Sequence, residues 1–204
     1  MQRSLSRIVI ASNNAGKLAE IGKLLAPLGI EVVTQASLGV TEADEPHMTF
    51  VENALAKARH ASLATGLPAL ADDSGICVNA LQGAPGVLSA RYAGEPCSDE
   101  RNNRKLVEAL HGQSDHRAYY YCVIILLRHG QDPQPVIIED TWHGEIIAEP
   151  KGQGGFGYDP HFFLPKLGKT AAELSMEEKN KISHRGKALA RLVQILARNE
   201  KMPV

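Results

Sequence analysis

A mixed α/β fold with a partly antiparallel sheet is the architecture this sequence predicts. Two patterns carry that reading. Short apolar runs alternate with helically spaced segments through the first half of the chain, and two long β-branched and aromatic runs follow around one polar connector. Alternation of that kind builds a sheet flanked by helices, and the paired runs add an antiparallel stretch.

The elements follow in order. Ile8-Val9-Ile10-Ala11 opens a strand over 8–12. A polar turn leads into a helix from about Asn14 to Leu28, with Leu18, Ile21, Leu24, Leu25 and Leu28 at helical spacing. Gly29 stops it, and Ile30–Val33 reads as a strand. After the acidic loop Thr41–Pro46, Thr49-Phe50-Val51-Glu52 has the form of a capping box. It predicts a helix to about Thr65, closed by Gly66 with Pro68 beyond. Ala69-Leu70-Ala71 is a short buried strand leading into Asp72-Asp73-Ser74-Gly75, and Gly83-Ala84-Pro85-Gly86 marks a turn. Ser98 caps a helix reaching Leu110, closed by Gly112. Tyr119–Arg128 and Val136–Ala148 form the antiparallel pair, and the chain ends in a helix over 183–198. No Pro-, Gly- or Ser-rich linker divides the 204 residues, which predicts one domain, two-lobed at most.

Composition narrows the function. A net charge of −1 lacks the strongly basic footprint of a general nucleic-acid binder. Apolar runs fall well short of the roughly 20 residues of a membrane span. The stretch Met1–Arg7 is too polar for a secretory signal. Three scattered cysteines, Cys77, Cys97 and Cys122, form no metal-ligand spacing and read as buried free thiols in a reducing compartment.

Four stretches carry chemistry. Ser12-Asn13-Asn14-Ala15-Gly16-Lys17 sits between a strand and a helix, where free N–H groups and the helix dipole favour an anion. A Walker A loop would need Gly at Ala11 and Ser or Thr at Leu18, so any phosphate cradle here is of another kind. The plainer reading is a capped helix start with Lys17 in solvent. Asp72 and Asp73 follow an apolar strand, where α/β folds place chemistry. On strand geometry they point apart, so one carboxylate reaches a metal or water while the other holds the turn. Carboxylates suit Mg2+, although Asp-Asp before Gly75 also suits an Asx-turn. Asp44 and Glu45 are either further metal ligands or a solvated acidic loop. Gly154-Gly155-Phe156-Gly157-Tyr158-Asp159-Pro160 offers aromatic faces and open backbone to a base, or is a glycine-rich turn with its rings in the core. Finally, Lys179, Lys181, His184, Arg185 and Lys187 gather around an expected helix start, an unfavourable place for cations unless an anion or carbonyl compensates.

In this order the motifs resemble the inosine/xanthosine triphosphate pyrophosphatases, in particular the bacterial RdgB type. The resemblance spans nearly the whole chain. It runs through Ser12–Lys17, Thr49–Ala54 with Lys57-Ala58-Arg59, Ala71–Gly75, Gly83–Gly86, Ser89–Tyr92, Gly154–Pro160, Lys169–Leu174 and Ser183–Gly186. It implies an elongated mixed sheet flanked by helices, with two lobes and a central cleft. It also implies a cytoplasmic, Mg2+-dependent homodimer acting on small nucleoside triphosphates, with no role on nucleic acid or membranes. The implied reaction converts dITP, ITP and XTP to the monophosphate and pyrophosphate.

The resemblance also implies roles. Ser12, Asn13, Asn14, Ala15, Gly16 and Lys17 match the first substrate loop, although the family commonly has Thr-Gly-Asn where this chain has Ser12-Asn13-Asn14. Asp73 matches the general base and metal ligand, and Ser74 a substrate contact. Asp72 supports the metal, and Asp44 falls where the family often has Glu, with Glu45 its rival. Lys57 is a further phosphate-facing lysine. Phe156, Gly157, Tyr158 and Asp159 match the base-binding segment, and Lys179, His184 and Arg185 the remaining nucleotide contacts. Two alternatives stand beside this one: a related Maf-like pyrophosphatase with another base preference, and a nucleotide-binding regulator without catalysis.

Overall fold

The computed structural model describes residues 5–197. Seven strands form one sheet in the order β2-β1-β3-β4-β5-β6-β7. They are β1 (Arg7–Ile10), β2 (Glu31–Thr34), β3 (Ala69–Val78), β4 (Arg117–Leu127), β5 (Val136–Ile146), β6 (Phe162–Leu164) and β7 (Lys169–Thr170). β1 pairs in parallel with β2, Ile8 opposite Val32, and with β3, Val9 opposite Ala69. β6 pairs antiparallel with both β5 and β7. The sheet is therefore mixed and partly antiparallel, as the sequence predicts.

The chain divides into two compact units. The first holds the residues up to Asp73, Val123–Glu139 and those from Ala188 on; the second holds Ser74–Cys122 and Asp140–Lys187. In the first unit, Ile8, Val9 and Ile10 of β1 are all buried. Strands covered on both faces read as continuous apolar runs, which is why β1 shows no alternation. Helix α1 (Ala15–Leu25) starts where Asn14 Oδ1 accepts the Lys17 N–H at 3.0 Å, and it buries Ile21 and Leu25. It ends three residues before the expected Leu28. Pro27 has no N–H to continue the ladder, so Ala26–Leu28 tightens into a 3-10 turn. Helix α2 (Phe50–Thr65) begins at the Thr49 cap and ends at Gly66, as expected, and its small buried residues Ala54, Ala58 and Ala61 let it lie close to its neighbours.

The second unit has its own apolar core, including Ile76, Leu106, Tyr120, Trp142 and Phe162. The Tyr120 and Phe162 rings meet edge to face at 4.7 Å. Leu106 enters this core from helix α3 (Asp99–Ala109), which Ser98 caps as predicted. Two helices close the fold, α4 (Met176–Ile182) and α5 (His184–Ala197).

Three expectations need correction. Asp72 to Gly75 do not form a turn: β3 runs straight through them for ten residues. α4 was not expected. It rests on a capping box in which Ser175 and Glu178 satisfy each other's backbone N–H groups. Cys77 and Cys122 are buried and outside any disulfide, as expected, but Cys97 is exposed beside Glu95. Among the described residues, no helix is long and apolar enough to cross a membrane.

Candidate active site

Two polar clusters contain the residues singled out in the sequence, one in each unit. The first is built around the start of β3. Successive strand residues point to opposite faces, and Asp72 and Asp73 accordingly take different partners. Lys17, in the first turn of α1, places Nζ 2.8 Å from Asp72 Oδ2. Lys57, from the middle of α2, places Nζ 3.4 Å from Asp73 Oδ1 and 2.5 Å from Glu45 Oε1. Both aspartates are buried. The structure thus brings Lys17, Lys57, Glu45, Asp72 and Asp73 together. Asp44 is exposed and stands outside these contacts, so Glu45 is the acidic-loop residue that reaches the cluster.

The opening loop joins the two readings offered for it. Ser12 Oγ accepts the Asn14 N–H at 3.1 Å, Asn14 caps α1, and Gln35 Nε2 donates to Asn13 Oδ1 at 3.4 Å. Ser12, Asn13 and Asn14 therefore fix the loop by local bonds. Gly16 is exposed in the first turn, where a Cβ would stand 3.3 Å from Asn14 Oδ1. Ala15 opens the helix, and its side chain lies outside the described residues. Lys17 is turned onto Asp72 rather than left in solvent.

Burial sets the electrostatics. It pushes the Asp73 carboxyl above the ordinary range; Lys57 opposes the rise and the Glu45 charge adds to it. Burial also pulls Lys57 down, but Asp73, Glu45 and Asp72 outweigh it and hold the ammonium charged. Both pKa values rise, that of Lys57 because three carboxylates outweigh its burial, that of Asp73 because burial, with the Glu45 charge added, outweighs Lys57. Asp73 is thus a carboxylate of raised basicity.

The same donors bear on a metal. Among the described residues, no group of three or more His, Cys, Asp or Glu side chains is arranged to hold an ion. Mg2+ is commonly held by one or two carboxylates together with substrate phosphates and water. Asp73 and Glu45, which meet at Lys57, offer two hard oxygen donors of that type, so the residues present fit it, while Asp72 turns to Lys17.

The second cluster lies around Phe156. Arg185 NH2 donates to Ser74 Oγ at 2.8 Å. The His184 ring is buried and stacks on Tyr120, with centroids 4.9 Å apart and an interplanar angle of 5°. Phe156 is 52% exposed, with Lys179 Nζ 4.7 Å and Arg185 Cζ 6.0 Å from its ring centroid. Tyr158 and Asp159 turn inward instead. Tyr158 donates its hydroxyl to Ser89 O at 2.7 Å. Asp159 accepts from the Phe156 N–H at 3.0 Å, from Tyr120 at 3.3 Å and from Lys179. Gly155 makes room for that carboxylate: its φ is +75°, and a Cβ would fall 2.0 Å from Asp159 Oδ2. The Phe156 ring is therefore the part of this segment open to a ligand, while Tyr158 and Asp159 hold it in shape.

The expected misplacement of cations is partly removed. Lys179 and Lys181 lie in the last turn of α4, where the dipole favours positive charge. Only His184, Arg185 and Lys187 belong to the start of α5. Sequence reasoning missed Tyr120, the platform under His184, and Asp99 and Asn103, which bond Gly157. Ser98-Asp99 is visible as a helix start, but nothing local signals a partner 58 positions away.

Comparisons with known proteins give the family of the chain. The Ham1 family profile matches residues 8–195. A dITP/XTP pyrophosphatase of Nitrosomonas europaea is 88% identical over 200 residues, covering 98% of either chain. One from Ralstonia nicotianae is 65% identical over 195 residues, covering 94% of this chain and 97% of its own. A solved HAM1 protein of Coxiella burnetii superposes with a TM-score of 0.92 at 50% identity, over 94% of this chain and 98% of its own. A match running from the second residue of β1 to near the end of α5, with a solved relative of the same fold, means that the chain belongs to the Ham1 family.

Proposed function

We propose that this protein is a hydrolase that converts the deaminated purine nucleoside triphosphates dITP, ITP and XTP to the monophosphate and pyrophosphate. The relatives named dITP/XTP pyrophosphatase support the reaction. The observation that carries it in this chain is the division of Asp72 and Asp73 between Lys17 and Lys57. A pair of buried carboxylates on β3 flanked by two lysines suits a polyanion whose hydrolysis needs both charge neutralisation and a base.

Lys17 and Lys57 bind the phosphates, with Lys179 as a third cation. Ser12–Lys17 cradle them through helix-start N–H groups. Asp73, its basicity raised by burial, orients the attacking water and takes its proton. Asp73 and Glu45 would hold Mg2+, with Asp72 supporting the site through Lys17, and the ion when bound supplies charge stabilisation for the phosphate oxygens and the leaving pyrophosphate. The Phe156 ring stacks the base. Ser74, His184 and Arg185 present donors to the 6-oxo group of hypoxanthine or xanthine. Adenine, a donor at that position, would leave them unpaired. The chain works as one two-lobed catalytic domain in a cytoplasmic homodimer.

The test is product analysis with Mg2+ and, separately, dITP, XTP, dATP, dGTP and dTTP. Pyrophosphate and monophosphate from dITP and XTP, lost in Asp73→Asn, are expected. Release of orthophosphate, or a preference for dTTP, would overturn the proposal.

A further inference from the structure

Phe156 is an exposed ring on a backbone held from every side. Its own N–H goes to Asp159, and the following Tyr158 is tied to Ser89. Between them Gly157 is gripped twice by α3. Asp99 Oδ2 accepts its N–H at 2.7 Å, and Asn103 Nδ2 donates to its carbonyl at 2.8 Å. Asp99 and Asn103 are four residues apart, so they lie on one face of α3. Together they fix both peptide groups of a residue at φ +62°, and with it the direction in which Phe156 leaves the chain.

The grip carries a local cost. Asn103 is nine-tenths buried, and its Oδ1 is buried without a hydrogen-bond partner in the structure. An unmet buried acceptor costs stability. Turning the amide over would set oxygen against the Gly157 carbonyl, so the bond to Gly157 dictates the amide's orientation. An apolar side chain of similar size would fill the position without that cost.

We infer that Asp99 and Asn103 are positioning residues for base selectivity: α3 holds Gly157 so that the Phe156 ring presents a 6-oxopurine to the side-chain donors beside it, Ser74 and Arg185 among them, in one geometry. This rests on the reading that Phe156 stacks the base. An error of about 1 Å in such placement is enough to erode turnover and discrimination.

The test measures kcat and KM for dITP and dATP, with thermal midpoints, in the wild type, Asp99→Ala, Asp99→Asn and Asn103→Leu. Asp99→Ala and Asn103→Leu should raise KM for dITP and shrink the dITP-over-dATP ratio of kcat/KM, each about tenfold. Asp99→Asn keeps an acceptor for the Gly157 N–H and should recover most of the ratio. Asn103→Leu should melt no lower than the wild type, which a purely structural role would not allow. If the wild type prefers dITP and the variants keep that ratio, the α3 inference alone fails. If the wild type itself shows no such preference, the base-site reading fails and this inference falls with it.

Discussion

Lys57 faces Asp73 and Glu45 at once, and its ammonium is the nearest charge that lowers the Asp73 carboxyl. Removing it fixes a direction. In Lys57→Met the Asp73 carboxyl loses its main opposing influence while burial and the Glu45 charge remain, so it rises further. In metal-free protein, 13C-carboxyl NMR should show Asp73 titrating at higher pH than in the wild type. Turnover of dITP should fall about a hundredfold, as when one charge-stabilising donor is removed. An Asp73 titration unmoved by the substitution would show that Lys57 does not govern the base. The lysines and the aspartate pair were legible in the sequence because each occupies a fixed place in a strand–loop–helix or helix pattern. The choice of Glu45 over Asp44 was not, because an irregular loop has no period from which to read side-chain direction.

Elements held by tertiary contacts rather than by period were the least legible. α4 has apolar residues only at Met176 and Ile182 of its seven, so no stripe announces it; its one signal is the Ser175 and Glu178 capping box. β3 was cut short because Asp, Ser and Gly are poor strand formers, and burial overrode that preference. The α4–α5 junction shows why Ser183 and Gly186 stand where they do. Ser183 ends α4 and its Oγ accepts the Gly186 N–H at 3.1 Å. A Cβ on Gly186 would lie 1.8 Å from the carbonyl oxygen of Asn180. That neighbour is backbone and cannot swing aside, so α4 would have to move. Gly186→Ala should cost about 1–3 kcal/mol in urea unfolding. It should also raise KM for dITP, because Lys179 lies on α4 and His184 and Arg185 on α5. Unchanged stability and KM would mean that the junction has slack the structure does not show.

The molecule as a whole is close to neutral at a net charge of −1, so general repulsion contributes little to its pH response. Individual carboxylates set it instead. Arg128 holds the buried Asp132 carboxyl far below the ordinary range in the β4–β5 connector, where Asp132 also accepts the Gln134 N–H. Arg117 holds Asp115 at about 2, and the backbone N–H groups at two helix caps lower Glu173 and Glu178. A group whose folded pKa is depressed adds stability above its unfolded value, and that stability is lost as pH falls through the folded value. Asp73, raised by burial, acts in the opposite sense. The lowered groups outnumber it, so the urea midpoint should be level from about pH 7 to 5 and fall below about pH 4. Asp132→Asn should lower the neutral plateau by about 2 kcal/mol, the worth of hydrogen bonds to a charged group. Its gap to the wild type should then narrow as the solution is acidified past about pH 4, because there Asp132 takes up a proton in the unfolded chain while Arg128 keeps it ionised in the folded protein. A gap that stays constant through that range would assign the Asp132 contribution to packing in the connector, and the acid response would then have to come from the exposed carboxylates and the helix caps.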